Sequence, residues 1–317
     1  MTESQPGHNP RHEPQDAVDG KYDDVLDLLG MVRTPARTED RESNHGDNQV
    51  DAHEDGGADD DTDGCETVER DEALAGHIET IAFEALCHGL HDSRVSALLH
   101  VLGWPEDFSC FVVAGTPAAS YATVRRTILA GIRNLGGKLQ IMGRHGSRVA
   151  VLVAVQGAAT PEVTCTAVLG AFDEQHPVCL VPANRDVAGA CRGLHAAFST
   201  LDAAAAVHTL PRPMRADDVL PERALLGDAT ARDELYTAVF SSLLGESPDD
   251  PTLSTISAFI DSGGSLDMTA RELNVHPNTV RYRLKRAAET TGWDATDPRE
   301  AFVLRTAIAV GRMRDAS

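Results

Sequence analysis

The chain has 317 residues, a formal net charge of -21, 42% hydrophobic and 4% aromatic residues. Such a length allows more than one domain. The net acidity argues against a surface that coats nucleic acid or anionic lipid throughout, and no apolar run approaches the ~20 residues that cross a bilayer.

The acidity is uneven. Residues 1–72 hold 22 Asp/Glu against 6 Lys/Arg, so that -16 of the -21 lies there. This stretch is poor in aromatics and cannot bury enough surface to offset chain entropy, so a disordered acidic N-terminal tail is expected. Within it Tyr22, Val25, Leu26, Leu29 and Val32 recur at helical spacing, which predicts a short helix over 21–32. The first residues lack the basic and apolar segments of a signal peptide. None of the six cysteines forms a Cys-x-x-Cys pair, and the expectation is a cytoplasmic protein with reduced thiols and no membrane segment.

Residues 73–104 read as a helical lead-in, with Leu74, Ile78, Ile81, Ala85 and Leu86 on one face, ended by Gly103-Trp104-Pro105. Cys87-His88 and His91 lie in this helical pattern, where a half-buried thiol and imidazole are ordinary. No metal site and no cofactor are expected.

Over 105–210 the pattern changes. FSCFVVAGT, LQIMGR, RVAVLVAVQ, PVCLVPAN and AVHTL read as strands, separated by helical runs beginning at Tyr121, Pro161 and Val187. Only His145-Gly146-Ser147 separates the second strand from the third, which predicts a hairpin. The order strand, helix, hairpin, helix, strand, helix, strand predicts an α+β domain akin to the ferredoxin-like plan. Residues 211–252 then read as a connector with helical stretches, interrupted at Pro248 and Pro251.

From 253 to 317 the residues describe an all-α helix-turn-helix domain. Ala270, Leu273, Val275, Val280 and Leu284 have the spacing of two short helices closed around a turn at Asn274, a residue that tolerates left-handed backbone angles. The second helix is expected from about Pro277 to Thr290, with His276 as a weak cap and Val275 and Val280 as a hydrophobic staple. At 100° per residue Val280, Leu284 and Ala287 share one face; Asn278, Thr279, Tyr282, Lys285 and Arg286 share the opposite one, flanked by Arg281 and Arg283. From Leu266 to Arg314 the balance is 9 basic to 6 acidic residues. Beyond Gly292, a stop residue, Asp297-Pro298-Arg299-Glu300 predicts a capping box opening a last helix that runs to about Met313.

His276, Asn278, Thr279, Tyr282, Arg283 and Leu284 carry the signature of the recognition helix of PucR/CdaR transcriptional regulators, and the chain resembles that family from about Leu253 to Met313. GWPEDF at 103–108 and ADDVLPERALLGD at 216–228 are similar to actinobacterial members. The resemblance implies a degenerate GGDEF-like middle domain, non-catalytic here: the hairpin carries Arg144, His145 and Arg148, and the first strand carries no carboxylate, where a cyclase needs acidic groups to hold divalent cations. Those hairpin cations read as solvated charge.

The expected function is therefore sequence-specific recognition of double-stranded DNA by a transcriptional regulator of a metabolic operon, for which the actinobacterial resemblance favours fatty-acid synthesis. Candidate DNA-binding residues are His276, Asn278, Thr279, Arg281, Tyr282, Arg283, Lys285 and Arg286. Paired half-sites would call for a homodimer, and the middle domain would sense a small-molecule effector or hold subunits together. The competing readings are a nucleotide-binding or nucleotide-cyclising enzyme with an accessory DNA module, and a scaffold working through its acidic tail.

Overall fold

The computed structural model describes residues 63–316 apart from 246, 248 and 249. Of the disordered tail expected over 1–72, residues 1–62, with the helix over 21–32, lie outside the described residues, while residues 63–72 are helical instead.

The first helix, α1, runs Asp63–Cys87, and α2 runs Ser93–Val101. The single lead-in helix expected here is thus two. Gly89, at φ 83, reverses the chain, and Asp92 starts α2 by accepting the Arg94 and Val95 N–H groups. The buried face also differs from the expected one. Leu86 is buried and Ala85 half-buried as expected, but Leu74 is exposed and Ala82 and Phe83 are buried instead, because α1 meets the sheet through the turns around Phe83.

The sheet is built from β1 (Ser109–Gly115), β2 (Gln140–His145), β3 (Arg148–Ala154) and β4 (Val178–Arg185), in the order β2-β3-β1-β4. All three pairings are antiparallel. Between them run α3 (Tyr121–Asn134) and α4 (Pro161–Val168), and α5 (Asp186–Ala203) follows β4. Helices cover both faces, which is why the strands read as continuous apolar runs. On β1, Cys110, Val112 and Ala114 join one core cluster while Phe111 and Val113 join the other; β3 divides alike, Ala150 and Leu152 against Val149 and Val151. Each large side chain so buried contributes about 1.5–3 kcal/mol.

AVHTL is not a strand. The edge of β4 is instead met by Met214, whose N–H donates to Val178 O (2.8 Å) and whose carbonyl accepts from Leu180 N (2.9 Å). Val207 and Leu210 pack against the core as partly buried side chains, so the apolar run marked burial and not strand pairing. The hairpin is tighter than expected, since His145 pairs with Arg148 and only Gly146 and Ser147 turn. Nor is Arg148 merely solvated. Its guanidinium donates to Asp202 (2.6 Å) and to Leu201 O (3.2 Å) at the end of α5, while the His145 ring lies 4.8 Å from that of Phe198.

Helix α1 lies along the edge strand β2. Glu79 accepts the Met142 N–H at 2.9 Å and pairs with Arg125 of α3 at 2.5 Å. A Cβ at Gly143 would collide with the Phe83 ring, so glycine there admits the helix.

The remaining helices share a second core. They are α6 (Leu220–Leu225), α7 (Ala229–Glu234, extended by a π-turn over Leu235–Phe240 and by Ser241–Leu243), α8 (Thr252–Asp261), α9 (Leu266–Glu272), α10 (Pro277–Thr291) and α11 (Pro298–Asp315). The segment read as a connector supplies Leu220, Leu235, Val239, Phe240 and Leu243 to the cluster that also holds Ile256, Val280, Leu284, Leu304 and Ile308. Arg299 of α11 holds Glu222 of α6 through two hydrogen bonds and donates to Asp218 O at 2.7 Å.

Candidate nucleic-acid interface

Helix α8 ends at Asp261, and Gly263 and Gly264, at φ 70 and 83, turn the chain toward α9. Ser265 caps α9 by accepting the Met268 N–H at 3.3 Å. The buried Thr269 hydroxyl lies 3.1 Å from that of Ser262, which locks the turn from beneath.

Asn274 sits at φ 51. Its N–H donates to Arg271 O (3.2 Å), and that of Val275 to Ala270 O (2.9 Å), a closure that leaves few carbonyls of α9 unpaired. Val275 and Val280 then belong to one apolar cluster on either side of the cap. His276 is a working cap, contrary to expectation. Its Nδ1 accepts the Asn278 N–H at 3.1 Å, so a ring nitrogen replaces the usual hydroxyl or carboxylate, and this fixes Nδ1 as the unprotonated nitrogen.

Helix α10 buries Val280, Leu284 and Ala287 at 0%, 4% and 1% exposure. The opposite face is open: His276, Asn278, Arg281, Tyr282, Lys285 and Arg286 are exposed, Tyr282 by 67%, while Thr279 and Arg283 are half-buried. Gly292, at φ 78, stops the helix, and its N–H donates to Ala288 O. The next cap is simpler than a capping box. Asp297 accepts the Arg299 and Glu300 N–H groups, but Glu300 reaches back to Asp294 N.

The cations of α10 differ in what holds them. Arg281 donates to Asn278 Oδ1 at 2.7 Å, one turn away on the same face. Arg283 turns inward and donates to Thr255 Oγ1 of α8 at 3.3 Å. Arg286 lies 3.9 Å from Asp250, whose side chain is only 11% exposed, and Lys285 lies 3.8 Å from Glu289, a loose surface pair. Hydrogen bonds from the Thr252 side chain and N–H, with Arg286 and Arg283 nearby, hold the Asp250 carboxyl below the usual carboxylate range. Asp250 and Thr255 were not among the expected site residues. The run Asp250-Pro251-Thr252 is itself a helix-start signal and marks that carboxylate as fixed in place.

The middle domain shows how its ionisable groups are used. Arg148 of the hairpin binds the end of α5, Arg144 lies over the Tyr121 ring, and burial pushes the Cys110 and Cys179 thiols up to about 12. Among the described residues no three His, Cys, Asp or Glu side chains are grouped to hold a metal ion. No described helix is long and apolar enough to cross a membrane.

A four-stranded α/β domain joined to a helix-turn-helix with an open polar face is the architecture of a transcriptional regulator. Residues 252–310 match the PucR C-terminal helix-turn-helix domain, and residues 88–203 match the GGDEF-like domain. The crystal structure of a regulator of polyketide synthase expression from Bifidobacterium adolescentis is similar, with 55% identity and a TM-score of 0.74 over 75% of this chain and 94% of that one. An uncharacterised Mycobacterium tuberculosis protein is 40% identical over 244 residues, 74% of this chain and 58% of its own length. The purine catabolism regulatory protein of Bacillus subtilis is 32% identical over 95 residues, 30% of this chain and 18% of that protein. The chain belongs to the PucR/CdaR family of regulators. It spans 58% of the length of the mycobacterial relatives it matches. The relatives among these that carry a functional name are regulators.

Proposed function

We propose that this chain is a cytoplasmic, sequence-specific DNA-binding regulator of a metabolic operon, acting as a homodimer that inserts α10 into the major groove of each half-site. The observation that carries this is the open face of α10. Asn278, Arg281, Tyr282, Lys285 and Arg286 project from a helix whose start is set by His276 and Pro277 and whose far side is sealed in the core.

Asn278, Tyr282 and the half-buried Thr279 are the candidates for base edges. Arg281, Lys285 and Arg286 are the candidates for phosphates or a guanine, and His276 sits at the N-terminal end that approaches the backbone. Arg283 acts on this reading by bracing α10 against α8. The division into an α/β domain over 105–210 and a DNA-binding domain over 253–317 accords with the separate cores, with 211–252 contributing to the second. Polyketide and purine regulation in the named relatives supports a metabolic target, and fatty-acid synthesis is the favoured one. The middle domain then carries the response to a small-molecule effector.

The test is selection of bound duplexes from fragmented genomic DNA by the full-length protein, followed by fluorescence anisotropy on the enriched sequence. A recurring site with two-fold symmetry and half-sites about one DNA turn (~34 Å) apart is expected. Enrichment of no sequence over random DNA would overturn the reading.

A further inference from the structure

The GWPEDF segment forms one wall of an open cavity of about 500 Å³ between α2, the bend before β1 and the first turn of α5. That volume lies within the ~300–1,000 Å³ typical of small-molecule sites. Leu99, Trp104 and Phe108, exposed by 2%, 2% and 6%, supply an apolar lining. The Trp104 and Phe108 rings meet edge-on with centroids 4.9 Å apart.

Two observations set this cavity apart from an ordinary surface recess. The first is the Trp104 indole N–H, which can only donate. So deeply buried an indole usually has an acceptor. None is found for it among the described residues, and its nitrogen is not among the sealed, partnerless polar atoms, which belong to Gln140, Thr164 and Thr200. With Trp104 2% exposed and lining the cavity, this unpaired, unsealed donor is assigned to the cavity.

The second is the start of α5, beside the cavity. Asp186 begins α5 at φ 61, a left-handed conformation rare outside glycine. It is held there by its N–H to Phe108 O (3.1 Å) and by its side chain, which accepts the Gly189 N–H at 2.8 Å. Strain of this kind persists only where neighbours enforce it, and it gathers at ligand sites. Val187, the next residue, lines the cavity.

We propose that this cavity binds a small uncharged molecule with an apolar body and a carbonyl group, the carbonyl oxygen accepting the Trp104 N–H. Ser96, His100 and Glu106 lie at the exposed rim. The Glu106 carboxylate there disfavours an anion, and a cation would lose hydration against Leu99, Phe108 and Val187 without a buried partner. The inference deepens the effector part of the function proposed above and rests on that reading only for its regulatory meaning. Helix α5 runs from Val187 in this cavity to His195, 3.8 Å from Asp228 at the start of α7, so one element touches both the cavity and the helical module.

The experiment contains no DNA, so it fails or succeeds apart from the operator search. In full-length protein carrying Trp293→Phe, Trp104 is the sole tryptophan and reports on its own site. Titration with acetanilide and related N-aryl amides is expected to change its fluorescence saturably, with benzoate and benzylamine at least tenfold weaker. Ala97→Phe, which fills the cavity from an exposed position, should weaken the amides at least tenfold. Trp104→Phe keeps an aromatic, smaller ring and removes the donor; followed by ligand-observed NMR, it should do the same while circular dichroism stays unchanged. The proposal is overturned if no amide saturates, if benzoate binds equally well, or if neither substitution matters.

Discussion

Arg223 Nε and Nη2 both donate to Asp228 Oδ2, at 3.0 and 2.8 Å, with each side chain only 1% exposed. The pair ties α6 to α7. Asp228 Oδ1 also caps α7 by accepting the Ala231 N–H at 3.1 Å. Removing one partner leaves an uncompensated buried charge, which costs about 3–5 kcal/mol. Arg223→Met is therefore expected to lower unfolding stability by that amount in equilibrium urea denaturation. A loss under about 1 kcal/mol, the worth of an exposed pair, would show that water reaches the site.

The same pair sets an acid limb. Burial pushes the Asp228 carboxyl up, but Arg223, Ser199 and the Ala231 N–H together outweigh it, so the group titrates below the usual carboxylate range. A folded-state value below the unfolded one, about 3.9, means the contribution is complete above about pH 4 and is lost as pH falls through the folded value. Without the guanidinium, burial should prevail. Acid unfolding of Arg223→Met followed by circular dichroism is expected to begin at higher pH than in the wild type, and an unchanged midpoint would contradict the assignment.

On α10 the three arginines should behave differently. Arg281→Ala with Arg286→Ala is expected to weaken all DNA sequences alike and to flatten the salt dependence, by about one log unit of slope for each phosphate left without its cation. Arg283→Ala, which removes the brace to Thr255, should lower stability by about 1 kcal/mol and leave that slope nearly unchanged. Anisotropy over a salt series separates the two, and equal slopes for all variants would refute the division.

Asn278→Ala should change which base is preferred at one position of each half-site, with a cost of about 1–3 kcal/mol on the preferred sequence. Because Arg281 donates to Asn278, the two substitutions should couple, and the double variant should lose less than the sum of the singles. Strict additivity on the selected duplex would mean that the pair does not act as a unit.

Gly311 packs under Phe240, and a Cβ there would collide with the ring. Alanine favours a helix interior over glycine by about 1 kcal/mol, but Phe240 is 2% exposed and has nowhere to move. Overpacking by about 1–3 kcal/mol should therefore win, and Gly311→Ala is expected to lower the thermal midpoint. Phe240→Leu in the same chain should recover part of the loss.

The turn of the helix-turn-helix was legible residue by residue. Asn274 and Gly292 lie at positive φ, and Val280, Leu284 and Ala287 are buried, because local backbone preference and 3.6-residue periodicity act over a few neighbours. The alternation of β1 and β3 was legible as apolar content but not as two faces, since both sides of the sheet are covered. His276 was underrated as a cap because ring-nitrogen caps depend on one rotamer. AVHTL failed as a strand because strand pairing needs a partner edge, and the partner of β4 proved to be Met214.

The amino-acid sequence by itself determined where helices start and stop, which face of α10 is polar, and that the chain carries a helix-turn-helix beside an α/β domain. Only the tertiary structure decided that Arg283 turns toward Thr255, that residues 220–243 complete the helical core, and that Trp104 lines a cavity with its N–H unmatched. The physical reason is range. Caps, turns and periodicity are settled within about one helical turn, whereas the partner of a charge or an indole is set by residues that only the fold brings near.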